Sequence, residues 1–426
     1  MTTTSITGLA RQREIYLNGV AGIRPRVPAD FAALEQRARA RLRPERFAYI
    51  AGGAGAESTI RRNRAAFERW RILPRVLRDV EQRNLSVTLF GQRLATPFLL
   101  APIGVLEMAH READLAVARA ARSLGVPFIF SNQASVSMER CTAVMGDSPR
   151  WFQLYWSRSD ALVSSLVRRA EQCGCSAIVV TLDTHMLGWR TRDLDLAYLP
   201  FLEGKGIAQY TSDPVFRSLL GQPDDAPPAD SRITLHALKT LFLMAAAYPD
   251  GFWRGLLSGD ARAAVQKFIA TYSRPSLSWE NLPFLRERTR LPIILKGVLH
   301  PDDARKALDY GMDGLIVSNH GGRQIDGAIS SIEALPAIVE AVGGRAPVLL
   351  DSGVYGGADA FKALALGATA VCIGRPYAYG LALGGSAGVQ TVLKNLIADF
   401  DLTMGLAGCR NVAEIEPGYL RAAQDS

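Results

Sequence analysis

The chain lacks the signatures of several large functional classes. No apolar run approaches the ~18 residues that a bilayer-spanning helix needs. The opening Met1-Thr2-Thr3-Thr4-Ser5-Ile6 has no basic segment leading into an apolar one, the pattern of a secretory leader, so a cytoplasmic location is expected. Cysteine is scarce: Cys141, Cys173, Cys175, Cys372 and Cys409 are an odd set without framework spacing, which implies reduced thiols rather than a disulfide scaffold. The close pair Cys173 and Cys175 lacks further ligands for zinc and reads as structural, so no metal site is expected. Also missing are a GxxxxGKS/T phosphate loop, a GxSxG elbow, an HExxH helix and a strand-placed GxGxxG. Gly52-Gly53-Ala54-Gly55 reads as a helix end or turn.

What remains is globular in composition, 48% hydrophobic and 21% charged over 426 residues, enough for a large core. The net charge of +8 gathers near the start, at Arg37, Arg39, Arg41, Arg43, Arg46, Arg61, Arg62 and Arg64. Glu35, Glu45, Phe47 and Glu68 interleave with these arginines, which fits a solvated helical face better than a nucleic-acid surface.

Eight short apolar runs, most of them rich in β-branched residues, organise the chain: 97–105, 127–132, 151–156, 177–183, 292–298, 314–320, 348–353 and 370–375. Helical patterns separate most of them, as at Leu162, Leu166, Val167 and Ala170, or Ile332, Leu335, Ile338 and Val339. Strand and helix in alternation predict a parallel sheet, and eight such units predict a closed (β/α)8 TIM barrel, with a doubly wound sheet as the alternative. The predicted layout is an N-terminal helical segment over 1–95, the barrel over 96–408, and a tail over 409–426. A long loop after the fourth strand, about 194–276, is expected to form a lid or subunit-contact helix pair, with interfacial membrane contact as a minor reading.

The runs end in chemistry. Gln153, Tyr155, Thr181, Asp183, Lys296, Ser318, His320, Asp351 and Arg375 all fall at the C-terminal ends of the predicted strands, where barrels carry their active groups. The segment Ser318-Asn319-His320-Gly321-Gly322-Arg323-Gln324 places a base and a fixed cation three residues apart, suited to proton abstraction from an anionic substrate. The glycine-rich turns at Gly353 and Gly374, the latter beside Arg375, sit in the seventh and eighth loops, where barrels commonly bind phosphate.

Together these residues resemble the FMN-dependent 2-hydroxy-acid oxidases and dehydrogenases, from about Phe31 to Gly408. The match rests on the segment around His320, on Thr181-Leu182-Asp183-Thr184 with Gly188-Trp189-Arg190, and on Leu295-Lys296-Gly297. Within that family, Ala101-Pro102-Ile103-Gly104-Val105 and the stretches 210–217 and 374–385 are most similar to lactate 2-monooxygenase. The resemblance implies FMN as cofactor, a small L-2-hydroxy acid and O2 as substrates, and a homo-oligomer, tetramer or octamer. It implies His320 as base, Asp183 as its partner, and Arg190, Arg323 and Tyr49 as the carboxylate grip. Tyr155 would bond the substrate hydroxyl, and Lys296 would stabilise the reduced ring. Pro102, Ile103, Gly104, Ser131, Gln153, Thr181, Ser318, Asp351 and Gly353 would contact the cofactor, with Gly374 and Arg375 at its phosphate.

Two positions depart from that pattern. Tyr355 stands where the family has an arginine near the phosphate, which predicts weaker FMN retention or a phosphate contact from the Tyr355 hydroxyl. Gly104 stands where related oxidases often have alanine, which predicts room for a larger substrate side chain. The reaction is expected to be that of lactate 2-monooxygenase, giving acetate, CO2 and water. The alternatives are an oxidase releasing the 2-oxo acid and H2O2, a dehydrogenase with another acceptor acting on a larger substrate, and a barrel that binds without turnover.

Overall fold

The computed structural model describes residues 7–221 and 234–423. Residues 1–6, the opening segment, and 222–233, inside the expected lid, lie outside the described part. Eight parallel strands close into a barrel: β1 (Phe98–Leu100), β2 (Phe128–Phe130), β3 (Arg150–Leu154), β4 (Ile178–Thr181), β5 (Ile293–Val298), β6 (Gly314–Val317), β7 (Val348–Leu350) and β8 (Ala370–Ile373). Each lies within one of the eight apolar runs, except that β3 starts one residue early.

Both faces of every strand are buried, which is why alternation is invisible in the sequence. Leu99, Ile129, Trp151, Val179, Ile294, Ile316, Leu349 and Cys372 point inward, one from each strand, and form the barrel interior. Their neighbours, such as Phe98, Phe152, Val180, Leu295, Val317 and Ile373, face outward into the larger core under the helices. A hairpin, Val87–Leu89 with Gln92–Leu94, contributes Leu89 and Leu94 to the interior cluster. Phe90 at its turn packs edge-on against Trp151 at 5.7 Å. The hairpin therefore plugs the N-terminal end of the barrel.

The N-terminal helices Phe31–Arg41, Pro44–Ala51 and Ser58–Glu68 lead into this plug. Helix Pro44–Ala51 ends on Gly52, so the glycine run is a helix end. A two-stranded antiparallel pairing of Trp70–Ile72 with Leu420–Ala422 fastens this region to the C-terminal tail.

After β4 the chain makes several short helices and then Leu235–Ala247, Phe252–Leu257 and Asp260–Thr271. Helix Asp260–Thr271 buries Val265 and Phe268. Helix Leu235–Ala247 turns Leu235, Leu238 and Phe242 toward solvent. Among the described residues, no helix is long and apolar enough to cross a membrane, and no cluster of three metal-ligating side chains occurs.

Candidate active site

The C-terminal ends of the strands surround one cavity of about 140 Å³, open to solvent on one side. Its wall includes Tyr49, Pro102, Ile103, Gly104, Tyr155, Arg190, Lys296, His320, Arg323, Asp351, Gly353, Tyr355, Gly374 and Arg375. Most of the residues singled out in the sequence thus meet in space. Asp183, Ser131, Gln153, Thr181 and Ser318 stand behind that wall.

His320 follows β6 with φ +57°, in the left-handed region, and Gly321 and Gly322 continue it at +64° and +74°. Side chains are strained there. A Cβ on Gly321 would also lie 2.8 Å from Arg375 Nη1, and one on Gly322 would lie 2.8 Å from the backbone nitrogen of Ile60. The two glycines therefore let the loop turn tightly enough to present the imidazole to the cavity.

His320 Nδ1 lies 2.8 Å from Asp183 Oδ1 and 3.1 Å from Thr184 Oγ1. Donation from Nδ1 to the carboxylate leaves Nε2 with a lone pair. Desolvation lowers the His320 pKa, and Lys296 and Arg190 add to this, while Asp183 opposes it. Burial would raise the Asp183 pKa, but His320 and Lys296 outweigh it and hold the carboxyl below its ordinary value. The pair is thus a neutral base backed by a carboxylate.

Lys296 donates to Ser318 Oγ at 2.6 Å and pairs with Asp351 Oδ2 at 2.7 Å. Burial disfavours its charge, but Asp351 and Asp183 outweigh burial and raise its pKa. Ser318 also accepts the His320 backbone N–H at 3.0 Å, so its oxygen braces the base and the lysine. Burial and Asp183 push the Tyr155 phenol up to about 12, so it stays a donor.

Arg323 gives Nη1 to the carbonyls of Tyr49 and Gly52, at 2.6 and 2.8 Å. Arg190 reaches Gln324 Oε1 at 3.2 Å. Burial and the neighbouring Arg190 push Arg323 down to about 9. Two cations crowded in a half-dry cavity are relieved by an anion, and a carboxylate matches their geometry.

At the far end, Arg375 spends Nη1 on Gly321 O and Nη2 on Gly52 O, at 2.9 and 3.0 Å. Its Nε is buried without a partner among the described residues, as are Gln153 Nε2 and Thr181 Oγ1. Buried polar groups left unpaired cost about 1–3 kcal/mol each unless a ligand meets them. These three donors and Lys296 fit a flat, hydrogen-bonding ring system ending in a phosphate at Arg375.

Other features were given no site role in the sequence. Gln133, Thr184, Leu187, Phe201, Ser352 and Tyr272 line or brace the cavity. Phe201 and Tyr272 come from the segment after β4, whose helical spacing gave no hint of which ring turns inward. Asn63 and Asn319 exchange hydrogen bonds at 2.8 and 2.6 Å, both buried. The space left by the missing methyl of Gly104 is already held by Gln133, whose Cβ would lie 3.0 Å from an added Cβ.

Residues 38–422 match the family model described as FMN-dependent dehydrogenase. An FMN-dependent alpha-hydroxy acid dehydrogenase of Penicillium citrinum is 42% identical, over 96% of this chain and 95% of its own length. An L-lactate oxidase of Lysinibacillus sphaericus is 43% identical, over 90% of each chain. A solved mandelate oxidase with (S)-4-hydroxymandelic acid superposes with a TM-score of 0.76 at 38% identity, covering 93% of this chain and 99% of that one.

Proposed function

The chain belongs to the FMN-dependent dehydrogenase family, and on that premise we propose that it oxidises an L-2-hydroxy acid with an aromatic or similarly bulky side chain. The products are the 2-oxo acid and, with O2 as acceptor, H2O2. The observation that carries this reading is the apolar wall beside the base: Tyr49, Ile50, Leu187, Phe201 and Tyr272. Tyr49 and Phe201 meet edge to face at 6.4 Å, and Phe201 and Tyr272 both pack on Phe268, at 5.1 and 5.0 Å. Such a wall is built for a ring. The likeness to mandelate oxidase supports it further and favours this reading over lactate 2-monooxygenase.

In this reading Arg190 and Arg323 hold the substrate carboxylate with Tyr49, fixing the reacting carbon. Tyr155 donates to the hydroxyl oxygen. His320 Nε2 takes a substrate proton, and Asp183 stabilises the imidazolium that forms. Bound FMN supplies the two-electron acceptor. Gln153, Thr181, Ser131 and the loop at Pro102, Ile103 and Gly104 would hold its ring. Asp351 and Gly353 would meet the chain that links ring to phosphate, and Gly374 and Arg375 the phosphate itself. Lys296 would keep a positive charge beside that acceptor.

The test is product analysis in air with (S)-mandelate, (S)-4-hydroxymandelate and L-lactate. The expected result is the 2-oxo acid with one equivalent of H2O2, and a higher kcat/KM for the aromatic acids. Decarboxylated acid without peroxide would establish a monooxygenase. Turnover that reduces a dye but leaves O2 untouched would establish a dehydrogenase. A His320→Gln protein that keeps its flavin but does not turn over would place the base.

A further inference from the structure

Tyr355, which replaces a cation expected near the phosphate, is held in an unusual setting. Its ring lies flat on Phe31, with centroids 3.6 Å apart and planes 8° apart. The Arg64 guanidinium carbon stands 5.7 Å from the centroid of the Tyr355 ring. Phe31 begins helix Phe31–Arg41 and Arg64 lies in helix Ser58–Glu68, so both neighbours come from the N-terminal helices. Tyr355 lines the cavity beside Arg375, and no group among the described residues pairs with its hydroxyl.

Asp359 ties this arrangement together. Its Oδ2 receives Arg64 Nη1 at 2.6 Å, the Tyr355 backbone N–H at 2.9 Å and the Gly356 N–H at 3.1 Å. One carboxylate therefore fixes the β7 loop and the cation in one geometry. A phosphate monoester brings between one and two negative charges. Arg375 is one cation at this end. A phenol can add a strong O–H donor, and a cation near its π face supplies positive potential without touching the ligand.

We infer that Phe31, Tyr355 and Arg64 act as one phosphate-recognition unit, with Tyr355 as the donor, Phe31 as its positioning residue and Arg64 as a remote cation. The inference rests on FMN being the cofactor. It makes the N-terminal helices part of the cofactor site and assigns them the work of the absent arginine.

The test compares FMN with riboflavin, which lacks the phosphate. The full chain is stripped of flavin, and the affinity for each is read from quenching of flavin fluorescence. Tyr355→Phe keeps the ring stack and removes only the hydroxyl. It should weaken FMN by ~10-fold and leave riboflavin unchanged, the scale of one charge-assisted hydrogen bond. Phe31→Leu should lower the FMN-to-riboflavin affinity ratio in the same direction. Arg64→Met should lower it a few-fold and flatten the salt dependence of FMN binding. Riboflavin binding in every variant reports an intact ring site. An unchanged ratio in Tyr355→Phe overturns the inference. So does an equal loss of both ligands in the variants, which would make the stack a packing feature only. If Tyr355→Phe behaves as expected while no hydroxy acid reduces the flavin, the phosphate unit stands and the proposed reaction falls.

Discussion

Two regions outside the barrel close over the same cavity by opposite means. The N-terminal helices are joined to the active loops by directed polar contacts. Asp326 of the β6 loop accepts the backbone N–H groups of Ala56 and Ser58, both at 2.7 Å, and Asn63 locks onto Asn319. Arg323 is held by two carbonyls of this region. Beyond Leu194, the segment after β4 meets the cavity instead through rings, Phe201 and Tyr272, that pack without directional bonds. Hydrogen bonds fix positions to fractions of an ångström, whereas apolar contact tolerates exchange of one shape for another. The first region should therefore govern catalytic geometry, and the second should govern which side chain is accepted.

Substitutions can break or sharpen that contrast. The reference is the base itself. Asp183→Asn should lower kcat by about 10³–10⁴-fold, because the wrong tautomer is then favoured. Asp183 is also the group that raises the His320 pKa against burial. The acid limb of the kcat/KM profile, which should begin below pH 6.5 in the wild type, should move to still lower pH in the variant. A limb that moves upward would show that the carboxylate does not charge the imidazole.

On the polar side, Arg323→Met should reduce kcat/KM by ~10²–10³-fold for every hydroxy acid alike, since the carboxylate is common to all. Selective loss for one substrate would blur the two regions. Asn63→Ala leaves one buried amide N–H of Asn319 unmet, its other bonds to Ile329 O and Gly322 N–H remaining, and should cost about 1–3 kcal/mol of stability, read by thermal unfolding, with substrate preference unchanged. The smallest effect is expected on the apolar side. Tyr272→Ala should shift the mandelate-to-lactate ratio of kcat/KM by ~10-fold toward lactate, with little change for lactate alone. If lactate slows equally, the rings position catalysis as well.

How much of this was legible in the sequence follows the same division. The barrel was readable because strands buried on both faces are apolar throughout, and because Ser318, His320, Asp351 and Arg375 punctuate them at one end. The motif around His320 marked the imidazole that lines the cavity, while the left-handed turn of its two glycines was not foreseen. Asn63 could not be found, since its partner lies 256 residues away and no local pattern marks the pairing. Phe201 and Tyr272 were equally hidden, because helical spacing predicts a helix and does not say which ring turns inward. A helix pair was expected after β4, and helix Leu235–Ala247 is there with Leu235, Leu238 and Phe242 exposed. Gly104 was read as empty space, whereas packing from the next loop fills it with Gln133.

The pairing of Trp70 with Ala422 also bears on the order of synthesis. Tyr49 and Gly52, whose carbonyls hold Arg323, are translated early, but that arginine emerges 274 and 271 residues later. Closing so long a loop is slow, and its contacts form only after its entropy has been met. Until the loop after β6 has been made, the N-terminal helices have neither Asp326 nor Asn319 to dock on, so this part of the cavity is expected to assemble late in synthesis.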